Sequence, residues 1–99
     1  MSDKSWFEMT WKEREARFRE FVASFPVGCR VRVLESDLDE YEGVTGVVEG
    51  HDPGDRDSLP LASVAFDEPV CAAVHQDGSK EWMTGDGFYE DEIELLEDR

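Results

Sequence analysis

"YEGVTGVVEG", residues 41–50, is the stretch on which the fold turns. Gly43 and Gly46 bracket Val44 and Thr45 and lead into Val47 and Val48, a β-branched run of the kind that fills strands. Glycine costs conformational entropy in a strand, so two of them within four residues mark a geometric demand. Either φ is positive, or the backbone turns and twists where a side chain would clash. The stretch predicts a tight turn feeding a strand of a small, strongly bent sheet.

Outward from it the apolar period is two. "CRVRVLE" (29–35) puts Cys29, Val31 and Val33 on one face and Arg30 and Arg32 on the other, as a half-buried strand does. "VTGVVEG" (44–50), "LASVAFDE" (61–68), "PVCAAVHQ" (69–76) and "DEIELLED" (91–98) supply four more short strands. The longest breaks run from Glu35 to Tyr41, Gly50 to Pro60 and Asp77 to Gly87. The second, "GHDPGDRDSLP", is polar and turn-rich and predicts an exposed loop. Short strands without intervening helices predict a mainly β fold, a small antiparallel barrel of about five strands.

Upstream of Pro26 the period is 3.6. Thr10 with Glu13 fits a capping box, and Ser5 with Glu8 offers an earlier start. Phe7, Trp11, Phe18, Phe21, Val22 and Phe25 then fall on one side, with charged residues over most of the rest. Pro26 and Gly28 end the segment. Residues 1–25 are thus expected as an amphipathic helix packed on a barrel of residues 26–99, with a partner-binding role for the same stripe as the alternative.

"FPVGCRVRV", the acidic loop, "YEGVTGVVEG", "VAFDE" and "FYEDEIELLE" together resemble the small Src-homology-3-like barrels, particularly their KOW-type branch. In that family a glycine precedes the first valine-rich strand and a G-x-x-G-x-V element turns into the second. Gly28, Gly43, Gly46 and Val48 match those positions. The resemblance covers residues 26–97 and implies a short turn of helix before a closing strand at "FYEDEIELL". It does not carry a nucleic-acid function with it, because KOW-type domains that touch nucleic acid present basic loops. Here the loops hold Glu35, Asp37, Asp39, Glu40, Glu42, Asp52, Asp55 and Asp57.

Those carboxylates belong to a formal charge of -15. Residues 1–25 carry five acids and five bases, so the whole imbalance lies beyond them. Such a surface repels phosphate backbones, and no direct nucleic-acid binding is expected. It suits a basic partner protein, or it keeps the chain soluble and monomeric. No run approaches the roughly 20 apolar residues of a membrane span, and the first residues lack a secretory pattern, so a cytoplasmic protein away from membranes is expected. Cys29 and Cys71, without C-x-x-C spacing, are expected as buried free thiols.

Candidate chemistry is sparse. Cys71 and His75 are four residues apart, which in a strand separates them by roughly 13 Å at about 3.3 Å per residue, too far for a nucleophile and its base. No phosphate-binding or dinucleotide glycine motif occurs, and neither an enzyme nor a cofactor is expected. "DLDEYEG" starts like a calcium loop at Asp37 and Asp39, but Glu42 replaces its turn glycine and Val48 its bidentate glutamate. "HDPGDRD" offers His51, Asp52, Asp55 and Asp57 as a weak cation site, with solvated charge as the simpler reading; no metal is expected. Tyr41, Trp82, Phe88 and Tyr89 could furnish an aromatic peptide groove, unless Phe88 and Ile93 close the core and Trp82 packs on the helix.

The leading functional expectation is a non-catalytic interaction module with an acidic face for a basic partner. One alternative is a nucleic-acid mimic of the phage inhibitor type, whose carboxylates would stand in rows like phosphates. The other is salt adaptation, consistent with three lysines against seven arginines.

Overall fold

Five antiparallel strands form one sheet in the computed structural model, which describes residues 5–36, 39–55 and 58–96. They are β1 (Arg30–Val33), β2 (Thr45–Asp52), β3 (Leu61–Val74), β4 (Lys80–Phe88) and β5 (Ile93–Leu95), after one helix, α1 (Trp11–Ser24). The order across the sheet is β4-β3-β2-β1-β5, a four-stranded meander whose last strand returns beside the first. Short 3-10 turns stand at Trp6–Glu8, Asp39–Tyr41 and Glu90–Glu92, the last leading straight into β5.

Alternation along the strands builds the core. Val31 and Val33, Val48, Ala62, Val64 and Phe66, Phe88 and Ile93 point inward and join Tyr41, Phe21 and Phe25 in one buried cluster. Phe88 and Ile93 sit on the two edge strands, which in a flat sheet lie four spacings apart, roughly 19 Å at about 4.8 Å each. Their presence in one core means the sheet bends around it, and since β4 and β5 do not pair, it bends without closing. Tyr41, from the β1–β2 connection, plugs the interior, its ring 5.1 Å from Phe66 and 5.8 Å from Phe88, the latter edge to face.

The glycines of 41–50 serve this bend in two ways. Gly43 turns the chain at φ +81° and donates its N–H to the Val33 carbonyl at 2.8 Å. Gly46 is buried opposite Phe66, where a Cβ would press into the Ala65 carbonyl oxygen and lie 2.8 Å from Val64 Cγ1.

Strand placement departs from expectation at three points. "LASVAFDE" and "PVCAAVHQ" are a single strand, β3, because Pro69 falls where the β3–β4 register slips between Ala65 and Val70, and no ladder donor is needed. "KEWMTGDGF", expected as a break, is β4; its Gly85 is required because a Cβ there would meet the Val64 carbonyl oxygen at 2.5 Å. β2 runs on through Asp52, so His51 is in the sheet opposite Ala62 and not in a loop. Its Nε2 donates to the Phe25 carbonyl at 2.6 Å, and its ring stands edge-on to Phe21 and Phe18, clamping the end of the helix to β2.

The Thr10 capping box forms as expected, Thr10 Oγ1 accepting from the Glu13 N–H and the Glu13 carboxylate from that of Thr10. The Ser5–Glu8 box caps only the 3-10 turn. Because α1 begins at Trp11, Phe7 falls outside the 3.6-residue frame and is exposed; Trp11, in the first turn, is 75% exposed. Trp6 is buried in their place, its indole N–H donating to the Ser58 carbonyl at 3.1 Å. Both cysteines are free and half-buried, and burial raises the Cys29 pKa. Among the described residues no helix is long and apolar enough to cross a membrane.

Gly46→Ala should lower the unfolding free energy by about 3 kcal/mol, since the rigid β3 backbone cannot yield to the added methyl. Gly50→Ala, in the same strand with open space around it, should change it by less than about 1 kcal/mol. Urea unfolding of the two variants checks the contrast.

Candidate functional site

The acidic residues expected on one face fall into two groups. Glu35, Asp39, Glu40 and Glu42 belong to the β1–β2 connection, Asp52 and Asp55 to the end of β2 and the β2–β3 connection. Asp37 and Asp57 lie outside the described residues. The two connections leave β2 at opposite ends, roughly 23 Å apart for seven strand steps of about 3.3 Å. The second group builds its own loop: Asp52 Oδ1 accepts from the Gly54 N–H at 2.9 Å, and the Ser58 hydroxyl donates to Asp55 Oδ1 at 3.1 Å. His51, by contrast, is turned to the Phe25 carbonyl. Among the described residues no group of three or more His, Cys, Asp or Glu is arranged to hold a metal.

The first group gains carboxylates that the sequence reading missed. Burial raises the Tyr41 pKa first of all, and the negative charges of Asp86, Glu81 and Glu40 raise it further. Two β4 carboxylates thus act on a residue of the Asp39–Tyr41 turn. The Tyr41 hydroxyl is sealed from solvent without a well-formed hydrogen bond, and Asp86 is the charged group that acts on it most strongly. Nothing local in the sequence signals this convergence, because it depends on two register slips in the β3–β4 pairing.

Positive charge is committed elsewhere. Arg30 meets Asp67 at 2.7 Å, where the Thr45 hydroxyl donates to the same oxygen at 2.6 Å. Arg32 pairs with Glu94 across β1 and β5, Arg17 with Glu90 at 2.6 Å, and Arg19 with Glu15 at 2.7 Å. Arg14 donates to the Trp6 carbonyl at 3.0 Å and lies over the Trp6 ring. All five described arginines are therefore engaged within the fold. The Thr45 hydroxyl foremost, with Arg30 assisting, holds the Asp67 carboxyl below its ordinary pKa against the opposing effect of desolvation.

The four aromatic candidates do not make a groove. Tyr41 and Phe88 are core residues; Tyr89 is at the surface beside the Glu90–Glu92 turn; Trp82 is 56% exposed at the far end of the β3–β4 hairpin and not against α1. Tyr89 instead borders a cleft of about 530 Å³, with Trp6, Leu59, Pro60 and the Arg17–Glu90 pair. Cys71 turns its thiol toward the Ala73 carbonyl, and His75 Nε2 lies 3.7 Å from Glu81, so each has its own neighbour.

Compared with models of protein families, with curated proteins and with solved structures, the chain matches none. What the site does is therefore read from its own geometry.

Tyr41→Phe should stabilise the protein by about 1 kcal/mol at pH 7, because it removes a buried hydroxyl without a well-formed hydrogen bond. As the native pKa is raised, Tyr41 should also cost wild-type stability above about pH 10, where the unfolded chain ionises and the native state resists; urea titrations at pH 7 and pH 11 should show the gap widening. Asp67 has the opposite sign. Asp67→Asn should be less stable than wild type at neutral pH, and the difference should close as pH falls below about 4, where the wild-type carboxylate is lost.

Proposed function

We propose that this chain is a non-catalytic interaction module whose acidic end docks a basic partner protein. The observation that carries this reading is the allocation of charge. The described arginines are used within the fold, while Glu40, Glu81 and Asp86 all act on the Tyr41 hydroxyl and Asp39 and Glu42 flank Glu40 and Tyr41 in the chain, with no described arginine paired to any of them. Carboxylates concentrated on a rigid scaffold attract and orient a basic surface more effectively than the same charge spread evenly.

The strand order β4-β3-β2-β1-β5, with a 3-10 turn leading into the last strand, supports the resemblance to Src-homology-3-like barrels. Fold alone does not choose the partner. A nucleic-acid mimic asks for continuous rows of carboxylates, and the two loop groups stand at opposite ends of β2, which favours the basic protein as partner.

A partner recovered by cross-linking in cell extract and then purified should bind the triple variant Asp39→Lys, Glu40→Lys, Glu42→Lys at least about 30-fold more weakly than wild type. Wild-type affinity should fall as salt rises. The double variant Asp52→Lys, Asp55→Lys, altered at the opposite end of β2, should bind as wild type. Equal binding by the triple variant would remove this end of the sheet as the docking surface.

A further inference from the structure

Beyond Phe66, β3 has no β2 partner, yet it continues beside β4 through the pairs Val70–Met83, Cys71–Trp82, Ala73–Glu81 and Val74–Lys80. Its other edge is open over residues 67–74. Gly43, at φ +81°, and the Tyr41 carbonyl that takes the Val44 N–H turn the chain sharply just ahead of β2, so the residues before Thr45 do not run on alongside β3. Outside the β3–β4 ladder, residues 70–74 make no backbone hydrogen bond among the described residues, save that the Ala73 carbonyl takes the Cys71 thiol.

A groove of about 410 Å³ lies where the two paths part, with residues 43–45 on one side and 67–70 on the other. Sheets guard an exposed edge with charge, proline or brevity. β4 carries Lys80, Glu81 and Asp86, and β5 is only 3 residues long. Residues 70–74, "VCAAV", have neither charge nor proline, and none of them is buried. Pro69 withholds one N–H at the mouth of the groove and none farther along.

Charge says what kind of strand fits there. Glu42 adjoins Gly43 in the chain, and Asp67 and Glu68 line the opposite wall. Arg30 and Thr45 answer Asp67, but neither Glu42 nor Glu68 has an ion-pair partner among the described residues. Farther along, Glu81 stands opposite Ala73, and Lys80 is the one lysine or arginine between Leu61 and Phe88. An extended segment bearing lysine or arginine is attracted by these carboxylates, and an acidic one is repelled.

We propose that an extended, lysine- or arginine-bearing segment of the partner adds to the sheet as a strand along residues 70–74, its basic side chains set against Glu42 and Glu68. The inference rests on the reading of a basic partner and supplies the way in which that partner is held. Main-chain hydrogen bonds to the open edge give such a contact its strength, and the flanking carboxylates select its charge. Five residues of strand offer roughly 17 Å of edge at about 3.3 Å each, the length of a short peptide.

A capped peptide of three lysine-valine repeats is the probe. It should bind the full chain with a dissociation constant below about 1 mM at low salt, and more weakly as salt rises. At saturation, hydrogen exchange of those amides of residues 70–74 that do not bond β4 should slow at least about tenfold. Methylating the peptide nitrogens at alternate positions separates backbone from charge, because alternate N–H groups of a strand face the same neighbour. One set of methylations should weaken binding at least about tenfold, and the other should leave it unchanged. Glutamate in place of the peptide's lysines, or the double variant Glu42→Lys, Glu68→Lys with wild-type circular dichroism, should each weaken binding at least about tenfold. Equal binding by both methylated peptides would overturn strand addition and leave the basic-partner reading standing. No binding at about 5 mM peptide would overturn it as well, that reading being judged separately on the purified partner. Slowed exchange of residues 70–74 that grows with protein concentration alone would assign the edge to a second copy and overturn the proposal.

Discussion

Two backbones pass each other at Gly46 with no room for a side chain between them. That close approach of β2 to β3 sets the register in which Gly46 faces Phe66 and Val48 faces Val64, and it lets the sheet turn sharply enough for its edge strands to share a core. Gly43, just upstream, swings the β1–β2 connection back so that Tyr41 enters the interior between Phe66 and Phe88. The core aromatics, the bend and the position of the acidic turn all follow from this one contact.

The helix is tied to the same frame. Phe21 and Phe25 complete the buried cluster, and His51 joins the last turn of α1 to β2 through one hydrogen bond and two edge-on ring contacts. This is why a histidine in a polar, turn-like stretch belongs to the scaffold. Trp6 extends the tie to the Ser58 carbonyl, so the segment before the helix is anchored by a residue that the helical stripe did not include.

Electrostatics is partitioned by the fold. Ion pairs across β1, β2 and β3, between β1 and β5, and between α1 and the Glu90–Glu92 turn bring arginines to carboxylates on the outside of the sheet. Surface pairs of this sort add little stability each, but they withdraw positive charge from the rest of the surface. None of the described arginines pairs with Asp39, Glu40 or Glu42.

Local rules were enough to read the Thr10 cap, the stop at Pro26, the β1 alternation, the demand for glycine at 43 and 46, and the mainly β class, because each rests on neighbours a few residues apart. The excess of acid over base was equally plain. Only the tertiary structure decided that Pro69 lies inside a strand, that "KEWMTGDGF" is one, that Phe88 is core while Trp82 is exposed, and that Asp86 and Glu81 act on Tyr41. Those outcomes depend on pairing between segments far apart in the chain and on two slips in its register. A slip of one residue moves every later side chain to the opposite face, and no local periodicity records it.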